Sequence, residues 1–346
     1  MVQTDESAGS LDRIGHMKQL QELVIELTSR CPMACRHCSS DSGPERCESL
    51  NSEAVTKLLA EAAALGVRQI SFSGGEPVIA TLFVPTLEEA LRLGFAVEVF
   101  TCGVVLGRGG RATAFPARLT QSIAALRGNT VMVFSFHGSC PTVHDSITGV
   151  SGSFDCLMRS VKACLSRGIR CAANFVPTRP NAADLHNVVR LLEGLGIPRI
   201  SILRFVPQGR GLLNRPRLEL TREEEDSFVE NLLALREEAG IVIRTGSPFN
   251  GIVPDNSVPC RAGSRKLVVQ ADGNVLPCEV FKHQNRRAWG ASIHGMTLGT
   301  ILGLPKFVAL QDSLLGGHCG LCPVHGALRQ HQPRTRVAHG LSKAAV

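Results

Sequence analysis

The sequence predicts an α/β fold in which a parallel sheet curls into a full or partial barrel. Two observations support this prediction: six short apolar runs that suit buried strands, and segments of helical periodicity between them. The strand–helix units recur at intervals of roughly 30 to 40 residues, as parallel α/β folds require. Right-handed crossovers turn such units in one direction, which curls the sheet toward a barrel.

Each predicted element has a local signal. The run LVIEL at residues 23–27 is almost continuously apolar, which is typical of a buried parallel strand. The helix predicted over 52–65 begins with a polar, serine-led segment that suits an N-cap. The remaining five of the six strands are predicted at 69–72, 96–100, 130–136, 170–176 and 199–206, with one further strand at 241–244. The remaining helices are predicted at 85–93, 154–167, 181–195 and 221–238.

The character of the chain changes near residue 247. The stretch SPFNGIVPDNSVPC is rich in Pro, Gly and Asn, and no further strand–helix unit follows it. The later stretch KLVVQADGNVLPC predicts a hairpin around Asp272, Gly273 and Asn274. We therefore predict a flexible arm over 1–20, a barrel over 21–246, a small C-terminal domain over 247–330 and a flexible tail over 331–346.

Composition narrows the class of protein. The chain of 346 residues carries a net charge of +7, without a Lys/Arg block long enough to mark a nucleic-acid arm. This charge suits a solvated surface, or a ligand that carries carboxylate or phosphate. No signal peptide or transmembrane run is apparent, so we expect a cytoplasmic protein that binds neither membrane nor nucleic acid. In a reducing cytoplasm, thirteen cysteines indicate metal binding or catalysis rather than disulfides.

The stretch CPMACRHC holds Cys31, Cys35 and Cys38 at the spacing C-x3-C-x2-C, directly after the first predicted strand. In βα barrels, the loops at the carboxyl ends of the strands build the active site. Thiolates select zinc or iron–sulfur clusters, and both are commonly held by four protein ligands. Three cysteines leave one metal position open, where a substrate or cofactor can bind.

This spacing, together with SGGEP at residues 73–77, resembles the radical S-adenosylmethionine (SAM) superfamily over roughly residues 20–325. The resemblance implies a partial (β/α)6 TIM-like barrel, a [4Fe-4S] cluster on the three cysteines, and SAM on the fourth iron. It implies reductive cleavage of SAM to a 5′-deoxyadenosyl radical, and an external one-electron reductant of the flavodoxin or ferredoxin type as a partner. It also makes Gly74, Gly75, Glu76 and Pro77 predicted SAM contacts. Glycines permit close backbone approach, and a carboxylate can accept from an ammonium group.

Further residues are predicted at the site by the same resemblance. His37, Ser135 and Asn174 are predicted SAM contacts, although a buried Ser bonded to backbone is an equal alternative for Ser135. Arg204 and Arg210 are predicted to bind a substrate carboxylate. Arg210 ends a P-x-G-R segment that recurs in related enzymes, and its alternative is an exposed Arg in a turn.

A second set of cysteines lies in the predicted C-terminal domain. Cys260 and Cys278 flank the predicted hairpin, and Cys319 and Cys322 follow as C-x2-C. This pattern resembles the auxiliary-cluster domains called SPASM and twitch. The small number of cysteines favours the shorter twitch type, with a second [4Fe-4S] cluster. An all-thiolate zinc site is the alternative.

The substrate is predicted less directly. Few residues precede the first strand and the SPASM pattern is incomplete, so a small sugar or nucleoside with a carboxylate is favoured over a peptide. The first hypothesis is decarboxylation of cytosylglucuronic acid in nucleoside-antibiotic biosynthesis. The alternatives are an aminoglycoside or cyclitol dehydrogenase or epimerase, a SPASM-type enzyme that modifies ribosomal peptides, and a non-catalytic iron–sulfur scaffold.

Overall fold

The computed structural model describes residues 20–126, 128–282 and 289–313. A nine-stranded sheet runs through this part of the chain, in the order β11-β10-β1-β2-β3-β6-β7-β8-β9. Its strands are β1 (Glu22–Thr28), β2 (Gln69–Gly74), β3 (Ala96–Thr101), β6 (Thr130–Ser135), β7 (Arg170–Phe175), β8 (Arg199–Ile202), β9 (Val242–Thr245), β10 (Lys266–Val269) and β11 (Val275–Leu276). A separate hairpin pairs β4 (Val105–Leu106) with β5 (Ala112–Thr113).

Helices cover the sheet and connect its strands. They are α1 (Ser52–Ala64), α2 (Phe83–Arg92), α3 (Ala117–Ala125), α4 (Pro141–Thr148), α5 (Ser153–Leu165), α6 (Leu185–Leu195), α7 (Arg210–Leu213), α8 (Arg215–Leu218), α9 (Arg222–Glu238), α10 (Leu298–Leu302) and α11 (Pro305–Ser313). Short 3-10 turns lie at Pro77–Ile79, Arg108–Gly110, Ala182–Asp184, Ser247–Phe249 and Glu279–Phe281. Local chemistry sets several helix starts. The Asn51 side chain accepts from the Ala54 N–H, and Thr221 with Glu224 forms a capping box.

The predicted fold class is confirmed. All neighbouring strands from β10 across to β9 pair in parallel, and only β11 runs antiparallel, as the second strand of the predicted hairpin. One strand boundary was wrong: the strand predicted over 199–206 ends at Ile202. Its partner β9 ends opposite, at Thr245, and Pro207 has no N–H to continue a ladder.

The C-terminal hairpin belongs to the same sheet as the barrel strands. β10 pairs in parallel with β1, with Glu22 opposite Lys266 and Ile25 opposite Val269. The segment after residue 247 therefore extends the sheet beyond β1. The domain boundary at this residue stays a prediction.

Most side chains of β1 belong to an apolar layer, and its two glutamates are polar exceptions. Leu23, Val24, Ile25 and Leu27 belong to the main core, while Glu22 accepts from Ser71 of β2 and Glu26 pairs with Lys282 of the C-terminal segment. A continuous series of side-chain hydrogen bonds and ion pairs, here called the polar chain, runs across the starts of the strands. Its contacts measure 2.7 to 3.4 Å and join, in order, Arg199, Glu98, Gln69, Ser71, Glu22 and Lys266. This chain lies at the end of the sheet opposite the cysteine loop, which follows the carboxyl end of β1. Within the described ranges, no helix has the length and apolar character to cross a membrane.

Two leucines offer a matched test of the core. Leu157 is fully buried, whereas Leu213 is 81% exposed. We expect Leu157→Ala to lower the free energy of unfolding by about 2–5 kcal/mol, because it deletes buried methyl groups and leaves a cavity. Leu213→Ala should change it by less than about 0.5 kcal/mol. Urea unfolding followed by circular dichroism measures both values, and equal losses would contradict the described core.

Candidate active site

The cysteine loop, residues 31–42, follows β1 and contains no helix or strand. Part of its backbone bonding is local: Cys38 N–H donates to the Cys35 carbonyl at 3.2 Å, and Cys31 N–H donates to the Gly43 carbonyl at 3.0 Å. The end of α4 accepts from the loop as well, because Ala34 and Arg36 donate to the carbonyls of residues 148 and 147. The loop is thus shaped by bonds to other parts of the chain.

The cysteines of the loop lie close enough to influence one another. Burial raises the pKa of the Cys35 thiol well above its usual value, and the neighbouring Cys31 and Cys38 thiolates raise it further. Within the described ranges, Cys35, His37 and His137 bring three possible ligand atoms within 4.8 Å of one another. Thiolates select zinc or iron–sulfur clusters, so the chemistry of this donor set fits the predicted cluster.

Three imidazoles lie together at this loop: His37 of the loop itself, which is partly buried, and the buried His137 and His144. The ring centroids of His37 and His137 are 4.5 Å apart, and those of His137 and His144 are 5.3 Å apart. Burial lowers the pKa of His37 and of His144 to about 4, so these rings are neutral near pH 7. The Nδ1 atoms of His37 and His137 are buried without a hydrogen-bond partner. Such atoms in native proteins usually have partners, which a bound molecule would supply.

The Gly-Gly pair of SGGEP lies against the start of the cysteine loop. A Cβ added to Gly75 would lie 2.1 Å from the Arg30 carbonyl oxygen, and one added to Gly74 would lie 2.3 Å from that of Thr28. The Glu76 N–H donates to the Arg30 carbonyl at 2.8 Å. In this structure the glycines allow close approach of two backbone segments to each other. Their predicted contact with SAM stays a prediction, as does that of Pro77, which begins the 3-10 turn.

Glu76 is fully buried and connects the end of β2 to the end of β3. Its carboxylate accepts from the Thr101 hydroxyl and from the Cys102 N–H, both at 2.7 Å. Burial raises the pKa of this carboxyl to about 7, although these hydrogen bonds oppose the shift. Carboxylate oxygens can each accept more than one hydrogen bond, so the predicted contact with an ammonium group stays open as a prediction.

The comparisons with known proteins agree with this geometry. The family model of the radical SAM superfamily matches residues 25–192. A relative from Gluconobacter oxydans, named PqqA peptide cyclase, is 30% identical over 74% of this chain and 69% of its own length. A second PqqA peptide cyclase, from Methylocella silvestris, is 30% identical over 78% of this chain and 74% of its own length. The chain belongs to the radical SAM superfamily. The crystal structure of Streptococcus suis SuiB bound to precursor peptide SuiA has the same fold, with a TM-score of 0.73 and 17% identity over 94% of this chain and 76% of that one.

As a radical SAM protein, the chain uses a [4Fe-4S] cluster and SAM. The predicted SAM contacts on the strands lie side by side: the register pairs Ser135 with Asn174 at the carboxyl ends of β6 and β7. The roles of these two residues and of His37 remain predictions. Cys102 also lies at this site, with its side chain against Cys31. The C-x3-C-x2-C spacing gives no signal for it, because it comes from another strand end.

The structure places the two predicted carboxylate-binding arginines against protein acceptors. The Arg204 guanidinium lies 3.3 Å from the Glu225 carboxylate and donates to the Pro248 carbonyl. The Arg210 guanidinium bonds the cysteine loop, at the Cys35 carbonyl among others. These contacts favour structural roles over the predicted contacts with substrate.

The C-terminal segment also contacts the radical SAM site. The Lys282 ammonium bonds the Glu26 carboxylate at 2.5 Å and the Ser40 hydroxyl of the cysteine loop at 2.6 Å. Both charged side chains are buried. Sequence reasoning missed Lys282, because the contact spans 242 residues and leaves no local pattern.

The structure describes two of the four predicted auxiliary-cluster ligands, Cys260 and Cys278. Burial raises the pKa of the Cys278 thiol well above its usual value, and the charge of Glu279 raises it further. Glu279 in turn bonds the Lys266 ammonium at 2.7 Å. Cys319 and Cys322 lie outside the described residues, so the four-cysteine site stays a prediction.

Gly75→Ala tests the backbone contact of SGGEP. Because its Cβ would overlap the Arg30 carbonyl, we expect a loss of about 1–3 kcal/mol in the free energy of unfolding and less iron bound after reconstitution. Gly194→Ala is the matched control, since nothing lies within 4 Å of its Cβ position in α6. It should leave iron content unchanged and stabilise the helix by up to about 1 kcal/mol. Chemical denaturation and iron analysis measure both variants.

Glu76→Gln tests the raised pKa of the buried carboxyl. The folded protein binds this proton more tightly than the unfolded chain, whose carboxyl has the ordinary pKa of 4.5. Wild-type stability should therefore fall relative to Glu76→Gln as the pH rises from about 4.5 to about 7, by up to about 3 kcal/mol. Denaturant unfolding of the cluster-free proteins between about pH 4 and pH 8 gives the difference. A difference independent of pH would contradict the shift.

Proposed function

We propose that this radical SAM enzyme modifies a peptide, by abstracting hydrogen from a residue of the substrate so that a ring-forming bond can follow. The observation that carries the proposal is the similarity to PqqA peptide cyclases, at 30% identity over about three quarters of each chain. This supports the peptide alternative over decarboxylation of cytosylglucuronic acid. The same similarity supports the peptide alternative over the aminoglycoside and scaffold alternatives.

The surface beside the cysteine loop is compatible with a peptide. Leu212 and Leu213 of α7 are 55% and 81% exposed, and Leu203 after β8 is 41% exposed. The turn that carries α7 contacts the loop, because the Asn214 amide donates to the Arg36 carbonyl at 3.3 Å. Exposed apolar side chains at one place are typical of interaction surfaces. A small uronic acid would not need them.

The catalytic chemistry divides between the cofactors and the chain. When bound, the cluster and SAM supply a 5′-deoxyadenosyl radical that takes a hydrogen atom from a substrate carbon. The chain holds the ligating cysteines and the backbone of SGGEP in place. The neutral imidazoles of His37 and His144 add polar groups to the site without adding charge. Positioning of the substrate carbon then carries most of the rate enhancement.

The C-terminal segment supplies a second proposed site. Cys260 and Cys278, with Cys319 and Cys322, are proposed to hold an auxiliary [4Fe-4S] cluster of the twitch type, and zinc is the alternative. The proposed reductant is a flavodoxin- or ferredoxin-type protein in the cytoplasm. Iron and zinc analysis of a variant in which Cys260 and Cys278 are both Ala separates these two metals.

Production of 5′-deoxyadenosine tests the substrate class. The reconstituted, reduced enzyme is incubated without oxygen with SAM and one of three additions: a PqqA peptide together with short peptides encoded beside the gene, cytosylglucuronic acid, or buffer. We expect a several-fold stimulation by a peptide and the loss of two hydrogens from its mass. One leaves as the hydrogen atom that the 5′-deoxyadenosyl radical takes, and the other leaves as a proton and an electron that the proposed auxiliary cluster accepts. Stimulation by the uronic acid with release of CO2 would restore the first hypothesis instead.

A further inference from the structure

The turn formed by residues 209–214 lies directly against the cysteine loop. A Cβ added to Gly209 would lie 2.7 Å from the Cys38 carbonyl oxygen, and the φ of Gly209 is +52°. A Cβ added to Gly211 would lie 3.1 Å from the His37 carbonyl oxygen. Side chains at these positions would separate the two backbones, so glycine permits the contact.

Arg210 lies between these two glycines and bonds the loop at four points. Its backbone N–H donates to the Cys38 carbonyl at 3.1 Å, and its Nε donates to the Cys35 carbonyl at 2.9 Å. Its two terminal nitrogens bond the Ser42 carbonyl at 2.6 Å and the Asp41 carboxylate at 3.1 Å. One residue therefore contacts both ends of the loop segment that carries two ligating cysteines.

We propose that Arg210 is a positioning residue for the [4Fe-4S] cluster, which fixes the backbone of Cys35 and Cys38 and keeps a cation against the loop that carries them. A guanidinium is suited to this because its planar donors can bond several acceptors in fixed directions. Residues that orient ligands in this way commonly affect metal affinity strongly. A nearby positive charge also makes reduction of an iron–sulfur cluster easier.

The turn is itself held in place by the rest of the fold. Arg210 can orient the cysteine loop only because its own position is fixed. The turn begins seven residues after the end of β8, and the Gln208 amide before it donates to the Val280 carbonyl of the C-terminal segment. A segment that is distant in sequence therefore holds the cysteine loop, since 175 residues separate Cys35 from Arg210. This assignment concerns the cluster alone and holds whether the substrate is a peptide or a sugar.

Four variants of the full-length protein, reconstituted with iron and sulfide, test this assignment. Arg210→Gln removes both the charge and the donor fork, and Arg210→Lys keeps only the charge. Gly209→Ala disturbs the backbone contact without changing charge. Arg217→Gln is the control, since this arginine is exposed on the adjoining α8. The readouts are iron loss to a chelator, the midpoint potential from EPR-monitored titration, the change of the EPR spectrum on adding SAM, and the melting temperature of the cluster-free protein.

We expect Arg210→Gln, Arg210→Lys and Gly209→Ala to lose iron about tenfold faster than wild type. Arg210→Gln should also shift the midpoint potential to more negative values, while Arg210→Lys should stay near wild type. Arg217→Gln should match wild type in every readout. Wild-type iron retention and potential in Arg210→Gln would overturn the proposal. So would a variant that only lowers the melting temperature of the cluster-free protein.

Discussion

The cysteine loop has no regular secondary structure, so its backbone N–H and C=O groups need hydrogen-bond partners from other parts of the chain. The active site follows from this constraint. The end of α4 supplies acceptors for the N–H groups of residues 34 and 36, the turn at Arg210 supplies donors to the carbonyls of Cys35 and Cys38, and SGGEP bonds the Arg30 carbonyl just before the loop. Four chain segments that follow β1, β2, β6 and β8 must therefore converge on the carboxyl edge of the sheet. A parallel α/β sheet brings its connections to that edge as a matter of topology.

Within the described residues, a buried ion pair lies where the C-terminal segment meets β1. Lys282 and Glu26 form this pair beside the cysteine loop, and the partly buried Lys266 lies between Glu22 and Glu279. A buried ion pair is weak evidence for stability, because desolvation opposes the attraction between the charges. The stability of the fold comes instead from the apolar layer that contains residues such as Phe72 and Phe134. The charged contacts define where the C-terminal segment sits against the site.

The sequence predicted the elements that have local signals. Apolar runs located the strands, and the spacing of Cys31, Cys35 and Cys38 indicated a metal site, whose cofactors the resemblance to the radical SAM superfamily then implied. Helix α4 was not predicted, although Pro141 at its first position is a start signal, because eight residues give little periodicity. Arg210 was noticed as a cation in a motif, but its partners lie 168 to 175 residues away. A single sequence shows the type of such a residue and not what it contacts.

The radical chemistry is common to the whole superfamily. The substrate class therefore depends on the surface that binds the substrate. In this chain the exposed leucines Leu212 and Leu213 belong to the same short helix that Arg210 begins. A substrate that docks on these leucines would contact the element that holds the backbone of Cys35 and Cys38. Because α7 has only four residues, these leucines lie two and three positions after Arg210. Under the proposed peptide function, substrate binding and the backbone of the cluster loop would therefore share one element, and a small molecule held deep in the barrel would lack this contact.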